Sequence, residues 1–365
     1  MEKDLGYRKI QCTGRGAYII SLPKGWVQNV GLKKGSEVAF KVRDDSSIIL
    51  VPRKIMERQE LEKPKIKEYC ISAEPKEDIQ SVCRKIKSLY VIGADLVHVR
   101  FKGGEGASKY RMAINNLAKD ILLGSEIVDE TPNEVTLQIL ISHTEFPLEK
   151  AVRRMAVIAL SANKDAIAAL KSGDPELLQG VVNAYKDVNR LNLYVVRQLK
   201  FGIERNMFKE LGFKTPKEFL AYRIVVNDIK SVAENAMNIV NNIIALQKLI
   251  QNQTLFLKEP IDEELYSQLS NFNSLTHQLF EESLKAMFKK DYKYADKIIS
   301  QAESLITQEN DLLMLMSSKK LDPNVSAIFR LILDSSRRIM DYSRNIAELT
   351  LNMTIAEISS MQTFK

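Results

Sequence analysis

Gly14-Arg15-Gly16-Ala17-Tyr18-Ile19-Ile20-Ser21-Leu22-Pro23-Lys24 combines a glycine turn, an alternating run and a proline stop. Tyr18, Ile20 and Leu22 alternate with Ala17, Ile19 and Ser21, the period of a half-buried strand. Pro23 suits the first turn of a helix and Gly31 its end, so a short helix is predicted over Lys24–Val30. Trp26, Val27 and Val30 then face a core. Tyr7-Arg8-Lys9-Ile10 stands upstream, and Val38–Val42 and Ile48–Val51 predict a hairpin across Asp44-Asp45-Ser46-Ser47. Such a β unit of about fifty residues holds few apolar side chains, a shortage that small domains often meet by dimerising.

The unit also carries the charge. Residues 1–54 hold eleven Lys/Arg against five Asp/Glu, whereas the remaining 311 hold forty-two against forty-one. A basic module on a neutral body is the electrostatic footprint of a polyanion binder, most often of nucleic acid. At 365 residues the chain is too long for one ordinary core. It has no uninterrupted apolar run long enough to span a membrane, and Met1–Gly6 lacks the apolar core of a signal peptide. Cys12, Cys70 and Cys83 are odd in number and widely spaced, which fits a reducing cytoplasm and neither a disulfide framework nor a Cys-x-x-Cys metal site.

Beyond a charged helical linker over 54–65, stopped by Pro64, the pattern alternates. Strands are predicted over Ile66–Ser72 and Leu96–Phe101, helices over Pro75–Tyr90 and Ser108–Leu123, and a hairpin over Glu126–Asp129 and Val135–Ser142. Residues 66–144 thus read as a small β-α-β-α-β-β domain. Its loop Gly103-Gly104-Glu105-Gly106-Ala107-Ser108-Lys109-Tyr110 imitates a phosphate loop. It lacks the terminal Gly-Lys-Ser/Thr, so a flexible crossover is the plainer reading.

From Pro147 onward apolar residues recur mostly at three- and four-residue steps, as in Leu191, Val195, Leu199 and Ile224, Ile229, Val232, Ala236, Ile239. Polar breaks fall at Lys171–Pro175, Gln251–Pro260 and Lys319–Pro323, the pattern of an antiparallel bundle. The segment repeats. Val232-Ala-Glu-Asn-Ala-Met-Asn-Ile239 aligns with Ile339-Met-Asp-Tyr-Ser-Arg-Asn-Ile346 at an offset of 107, and Lys186–Asn189 with Ser304–Thr307 at 118. An extra stretch around Phe201–Phe213 accounts for the difference. Two pseudo-symmetric three-helix bundles follow, over 145–252 and 253–365.

Two resemblances now attach to these residues. Thr13-Gly14-Arg15-Gly16, Ile20-Ser21-Leu22-Pro23-Lys24, Gly31-Leu32-Lys33-Lys34-Gly35-Ser36-Glu37-Val38 and Ile48-Ile49-Leu50 resemble the AbrB/SpoVT/MazE DNA-binding domain. The resemblance implies a swapped-hairpin β barrel built by two chains over residues 1–53, with double-stranded DNA as partner. By position it assigns DNA contact to Arg8 and Arg15, with Lys9 and Lys24 in support. Arginine reaches guanine edges with two hydrogen bonds, while lysine mainly neutralises phosphate. Lys33 and Lys34 read as solvated turn charges.

Lys186-Asp187-Val188-Asn189, Thr215-Pro216-Lys217-Glu218-Phe219 and the two Asn-Ile helices resemble PhoU, a family of phosphate-uptake regulators. Glu149-Lys150-Ala151-Val152-Arg153-Arg154-Met155 and the preceding α/β segment look like its archaeal branch. The family's acid-x-x-x-acid metal motifs fall here on Tyr185/Asn189, Lys230/Glu234, Glu303/Thr307 and Arg337/Asp341, where only three of eight positions are acidic. No metal and no cofactor are therefore expected. Lys230–Glu234 and Arg337–Asp341 read as structural salt bridges, or alternatively as an anion site on which Lys230 and Arg337 converge. His98, His143 and His277 stand apart, and no catalytic set is visible.

The expectation is a multidomain protein with a swapped-hairpin β-barrel head, an α/β middle segment and an all-α body of two PhoU-like three-helix bundles. Its expected role is that of a non-enzymatic, homodimeric transcriptional regulator of phosphate uptake in the cytoplasm. Phosphate-transporter or signalling components are further partners, and no membrane insertion is expected. A second reading is an adaptor that regulates a phosphate transporter by protein contact, its head serving to dimerise. A metal or polyphosphate binder is a third, against which the poor acid motifs argue.

Overall fold

The computed structural model describes residues 6–12, 14, 16–42, 47–56, 66–74, 76–102, 107–141, 146–205, 207–251 and 262–359. They belong to two units, Met1–Ile66 and Lys67–Lys365. Most of the expected linker, at 57–65, lies outside the described residues, as do Arg15, the hairpin turn at 43–46 and the glycines of the phosphate-loop imitation.

In the head, β1 (Ile10–Cys12) pairs antiparallel with β2 (Tyr18–Ile20), Ile10 opposite Ile20. Helix α1 (Lys24–Asn29) follows Pro23, and its half-buried face is Trp26 and Val27, as the spacing predicts. Gly31 stops it at a φ of +69°, a left-handed conformation that only glycine adopts freely. Strands β3 (Val38–Val42) and β4 (Ile48–Pro52) form the expected hairpin. The barrel expected from two chains is not closed within one. The described residues form two separate two-stranded sheets. Strands this short cannot cover each other's faces. Tyr18, expected half-buried, is 77% exposed, and Phe40 and Val42 are 67% and 74% exposed.

The second unit begins with β5 (Glu68–Ala73), α2 (Ile79–Val91), β6 (Leu96–Phe101), α3 (Ala107–Asp120), β7 (Ser125–Glu130) and β8 (Glu134–Ile139). The sheet order is β5-β6-β8-β7, with β5 and β6 parallel and the other pairs antiparallel. Helix α2 starts later than Pro75 suggests. The Asp78 carboxylate accepts the Gln80 and Ser81 amides and caps the helix there. The register between β7 and β8 shifts between Ile127 and Asp129, a bulge that alternation alone does not reveal.

Gly124, at φ +70°, joins α3 to β7 where its carbonyl accepts from Leu140 N at 2.7 Å. A Cβ there would overlap the Ile141 side chain as well as strain the backbone. Gly124→Ala should therefore cost about 2–4 kcal/mol in urea unfolding. A loss under about 1 kcal/mol would show that Ile141 gives way freely.

The helical body comprises α4 (Leu148–Ser172), α5 (Pro175–Glu204), α6 (Glu218–Gln251), α7 (Glu263–Lys289), α8 (Tyr292–Ser318) and α9 (Pro323–Ile358). Helices α4–α6 form one three-helix bundle and α7–α9 another, and the two Asn-Ile helices, α6 and α9, pack on each other. Gly173 at φ +65° and the Asp174 cap make the first break as expected. The turn between α7 and α8 was not anticipated. Lys290 adopts φ +54°, and the Asp291 carboxylate accepts Tyr294 N to begin α8.

Two apolar clusters fill the body, and each draws on both copies. One joins Ile167, Ile239 and Ile243 to Phe272, Phe329 and Ile332. The other joins Met155, Val195 and Ile229 to Phe280, Met287 and Ile339. A buried polar seam crosses between the copies. Asn163 on α4 donates to Ser335 Oγ, while Asn273 Nδ2 on α7 donates to Asn163 Oδ1 (2.9 Å) and Ser336 Oγ (2.9 Å). His277 Nε2 lies 3.0 Å from the same Asn163 oxygen. That oxygen is an acceptor, so Nε2 carries the proton and Nδ1 is left buried without a partner. Burial holds the His277 imidazole far below its ordinary pKa, at about 3, and the ring is neutral at physiological pH.

Candidate nucleic-acid interface and the paired charges of the body

In the head, Arg8, Lys9 and Lys24 are all exposed. The pairing of Ile10 with Ile20 places the start of β1 beside the end of β2. Arg8 and Lys9 therefore enter the ribbon at the end from which the chain leaves toward Lys24. The Arg8 guanidinium donates to the Tyr7 carbonyl at 2.8 Å. Lys9, Lys24, Lys33, Lys34, Lys41 and Lys54 have no carboxylate partner among the described residues. Glu37 instead pairs with Arg53. A cavity of about 430 Å³ in the head, lined by residues 30–32, 34–37 and 52–54, includes none of the residues assigned to DNA contact. Arg15 lies outside the described residues.

In the body the two charge pairs differ in kind. Lys230 Nζ lies 2.5 Å from Glu234 Oε1 along α6. Arg337 is 3.9 Å from Asp341 along α9, but its nearer partner is Glu309 on α8, at 3.3 Å. Glu309 is buried, and its pairing across helices is invisible to spacing along a single helix. Each of the two cations thus already faces a carboxylate. Among the described residues no three His, Cys, Asp or Glu side chains gather as a metal site would require.

Other charged residues do structural work that spacing did not disclose. Glu218, buried in the Thr215–Phe219 motif, accepts Lys214 N and Thr215 N with Oε1. Its Oε2 pairs at 2.5 Å with Lys290, the residue of the unanticipated turn. One carboxylate thereby caps a helix and ties the two copies together. His98, apart in sequence, lies on the sheet between Glu68 (2.6 Å) and Glu134 (3.0 Å), with Thr136 at 3.1 Å. His143 lies outside the described residues. Tyr110, at the end of the glycine loop, donates to the Glu77 carbonyl at 2.5 Å and is buried.

Arg197 on α5 is also buried. Its Nη1 donates to the Tyr90 and Ala94 carbonyls at 2.7 and 2.8 Å, and its Nη2 lies 3.5 Å from Asp95 Oδ1. Tyr90 closes the last turn of α2, so the guanidinium meets the negative end of that helix and fastens the α/β segment to the body. Burial pulls its pKa down from the ordinary arginine value.

Comparison with known proteins places these features. Residues 13–57 match the family model of MazE, a bacterial antitoxin described by antidote-toxin recognition. Residues 152–243 match the PhoU domain. No curated protein matches the chain. Similar solved structures include the phosphate transport system regulatory protein PhoU from Streptococcus pneumoniae, 16% identical with a TM-score of 0.47 over 59% of this chain and 96% of that one. PhoU from Pseudomonas aeruginosa is 18% identical, with a TM-score of 0.46 over 57% and 96% of the two chains. No described helix is long and apolar enough to cross a membrane. The chain thus carries a MazE/AbrB-like segment at its head and a PhoU domain in its helical body.

Proposed function

We propose that this protein is a DNA-binding transcriptional regulator of phosphate uptake, acting in the cytoplasm as a homodimer. The observation that carries the reading is the concentration of charge. Nearly all the net positive charge lies in the MazE-like head, whose described lysines have no carboxylate partner among the described residues. Arg8, Lys9, Arg15 and Lys24 contact the duplex, the arginines reading bases and the lysines holding phosphates. Exposed Tyr18, Phe40 and Val42 support pairing of two heads, because burying them needs a second layer. The PhoU-like body receives phosphate status from a transporter or signalling component and passes it to the head. Lys230 with Glu234, and Arg337 with Asp341 and Glu309, form structural bridges at positions where the metal motifs would fall.

The same exposed strands favour one other reading, an adaptor whose head serves protein contact alone. Binding to genomic fragments, including those upstream of phosphate-transport genes, separates the two. A regulator binds selected fragments with a log–log salt slope of about −0.9 per phosphate neutralised. Arg8→Ala combined with Arg15→Ala should then weaken binding at least roughly 100-fold and flatten that slope. An adaptor binds no fragment above a neutral control, and the double substitution changes nothing.

A further inference from the structure

A cleft of about 230 Å³ opens where the α/β segment meets α4 and α5. Leu123 and Ile141 line it from the α/β side, and Ile158 and Leu191 from the helices, so its floor is apolar. Phe146 adds a further apolar residue, and three charged side chains complete the lining: Arg154, Arg190 and Asp187. Several other arginines of the body are matched. Arg153 pairs with Glu149, Arg338 with Asp334 and Arg344 with Glu348. Arg154 and Arg190 have no carboxylate partner among the described residues, and Asp187 has no cation. The Arg190 Nε is buried with no acceptor, although Asp187 stands three residues away on the same helix.

Two guanidinium groups and one carboxylate, unpaired around an apolar floor, are complementary to a molecule carrying the reverse pattern. That molecule has an anionic head for the arginines, a cationic group for Asp187 and an apolar remainder for the floor. Size narrows the choice. By proportion to the roughly 150 Å³ cavity that accommodates benzene, this cleft takes about ten non-hydrogen atoms. We propose that the cleft binds an apolar α-amino acid of the size of leucine or phenylalanine. Its carboxylate meets Arg154 and Arg190, its ammonium meets Asp187, and its side chain lies on Leu123, Ile141, Ile158 and Leu191. Such a ligand touches both the α/β segment and the helices, and so couples its own concentration to the tightness of that junction. The site is independent of the DNA reading and of any phosphate signal.

Isothermal titration of the full chain with leucine, isoleucine and phenylalanine tests it. Their 2-oxo acids, which keep the carboxylate and lose the ammonium, and inorganic phosphate serve as separate arms. At least one amino acid should bind with a dissociation constant below about 1 mM and more tightly than its 2-oxo acid. Arg154→Met and Asp187→Asn should each weaken it about tenfold or more. Both side chains are exposed and unpaired, so these variants should fold normally by circular dichroism, and Arg190→Met is a third check. No binding by any amino acid at 10-fold that limit, roughly 10 mM, overturns the proposal. Equal binding of the 2-oxo acids, competition by inorganic phosphate, or binding unchanged in both variants overturns it too.

Discussion

Arg197→Met is expected to cost the second unit about 3–5 kcal/mol, among the largest effects of any single substitution in this chain. Methionine keeps an apolar stem and fills part of the space, so the loss isolates the guanidinium. Without it the Tyr90 and Ala94 carbonyls lose their charged donor in a place that water reaches poorly. The end of α2 also loses its favourable cation. Arg197→Lys should recover only part of the loss, because a single ammonium does not reproduce the planar fork that serves Tyr90, Ala94 and Asp95 together. Urea unfolding gives the magnitude, and hydrogen exchange should show the amides of Ile92–Ala94 losing protection first. A loss below about 1 kcal/mol, or exchange unchanged at the end of α2, would mean that apolar packing alone holds the junction.

Asp228→Asn works in the opposite direction. Asp228 is buried on α6, its Oδ2 has no partner, and burial alone pushes its pKa up to about 7. Between the ordinary aspartate value of 3.8 and about 7, the folded protein holds a proton that the unfolded chain has released. Stability contributed at this position therefore falls as pH rises through that window and is flat above it. Asparagine has no charge to desolvate. The variant should match the parent near pH 4 and exceed it by about 2–4 kcal/mol near pH 8. His277 tilts both proteins the other way, since its neutral buried ring costs stability as pH falls from 6.5 toward about 3. That slope cancels in the difference between them. Melting curves at several pH values test the claim, and a difference independent of pH would refute it.

The parts of this molecule that were legible in the sequence are those set by local rules. Charge concentration is composition, and the strands and helices follow from periodicity of two and of three to four. Glycine and proline marked most of the breaks. The turn at Lys290 escaped because a lysine adopts the left-handed conformation there, although Asp291 carried the signal of a helix cap. The burial of the head's strands was misjudged because alternation states which side of a strand is apolar, not whether anything covers it. Arg337 was paired along its own helix because spacing of four is visible, whereas Glu309 is nearby only after α8 folds against α9. Arg197 and Asp228 did leave a trace: each is a charge set within an apolar run, between Val196 and Leu199 or between Val226 and Ile229. The cleft left none, since its lining comes from two helices and from loop residues far apart in the chain.

The seam of Asn163, Asn273, His277, Ser335 and Ser336 has a mechanical consequence for the body. Apolar surfaces tolerate sliding, because one methyl group substitutes for another at little cost. Directional hydrogen bonds do not. Moving α9 by one turn, about 5.4 Å, against α4 and α7 would strand several buried donors and acceptors at once. The two halves of the body are therefore geared rather than greased. A displacement imposed at one end reaches the other as motion of the whole block, and is not lost as slippage between its halves.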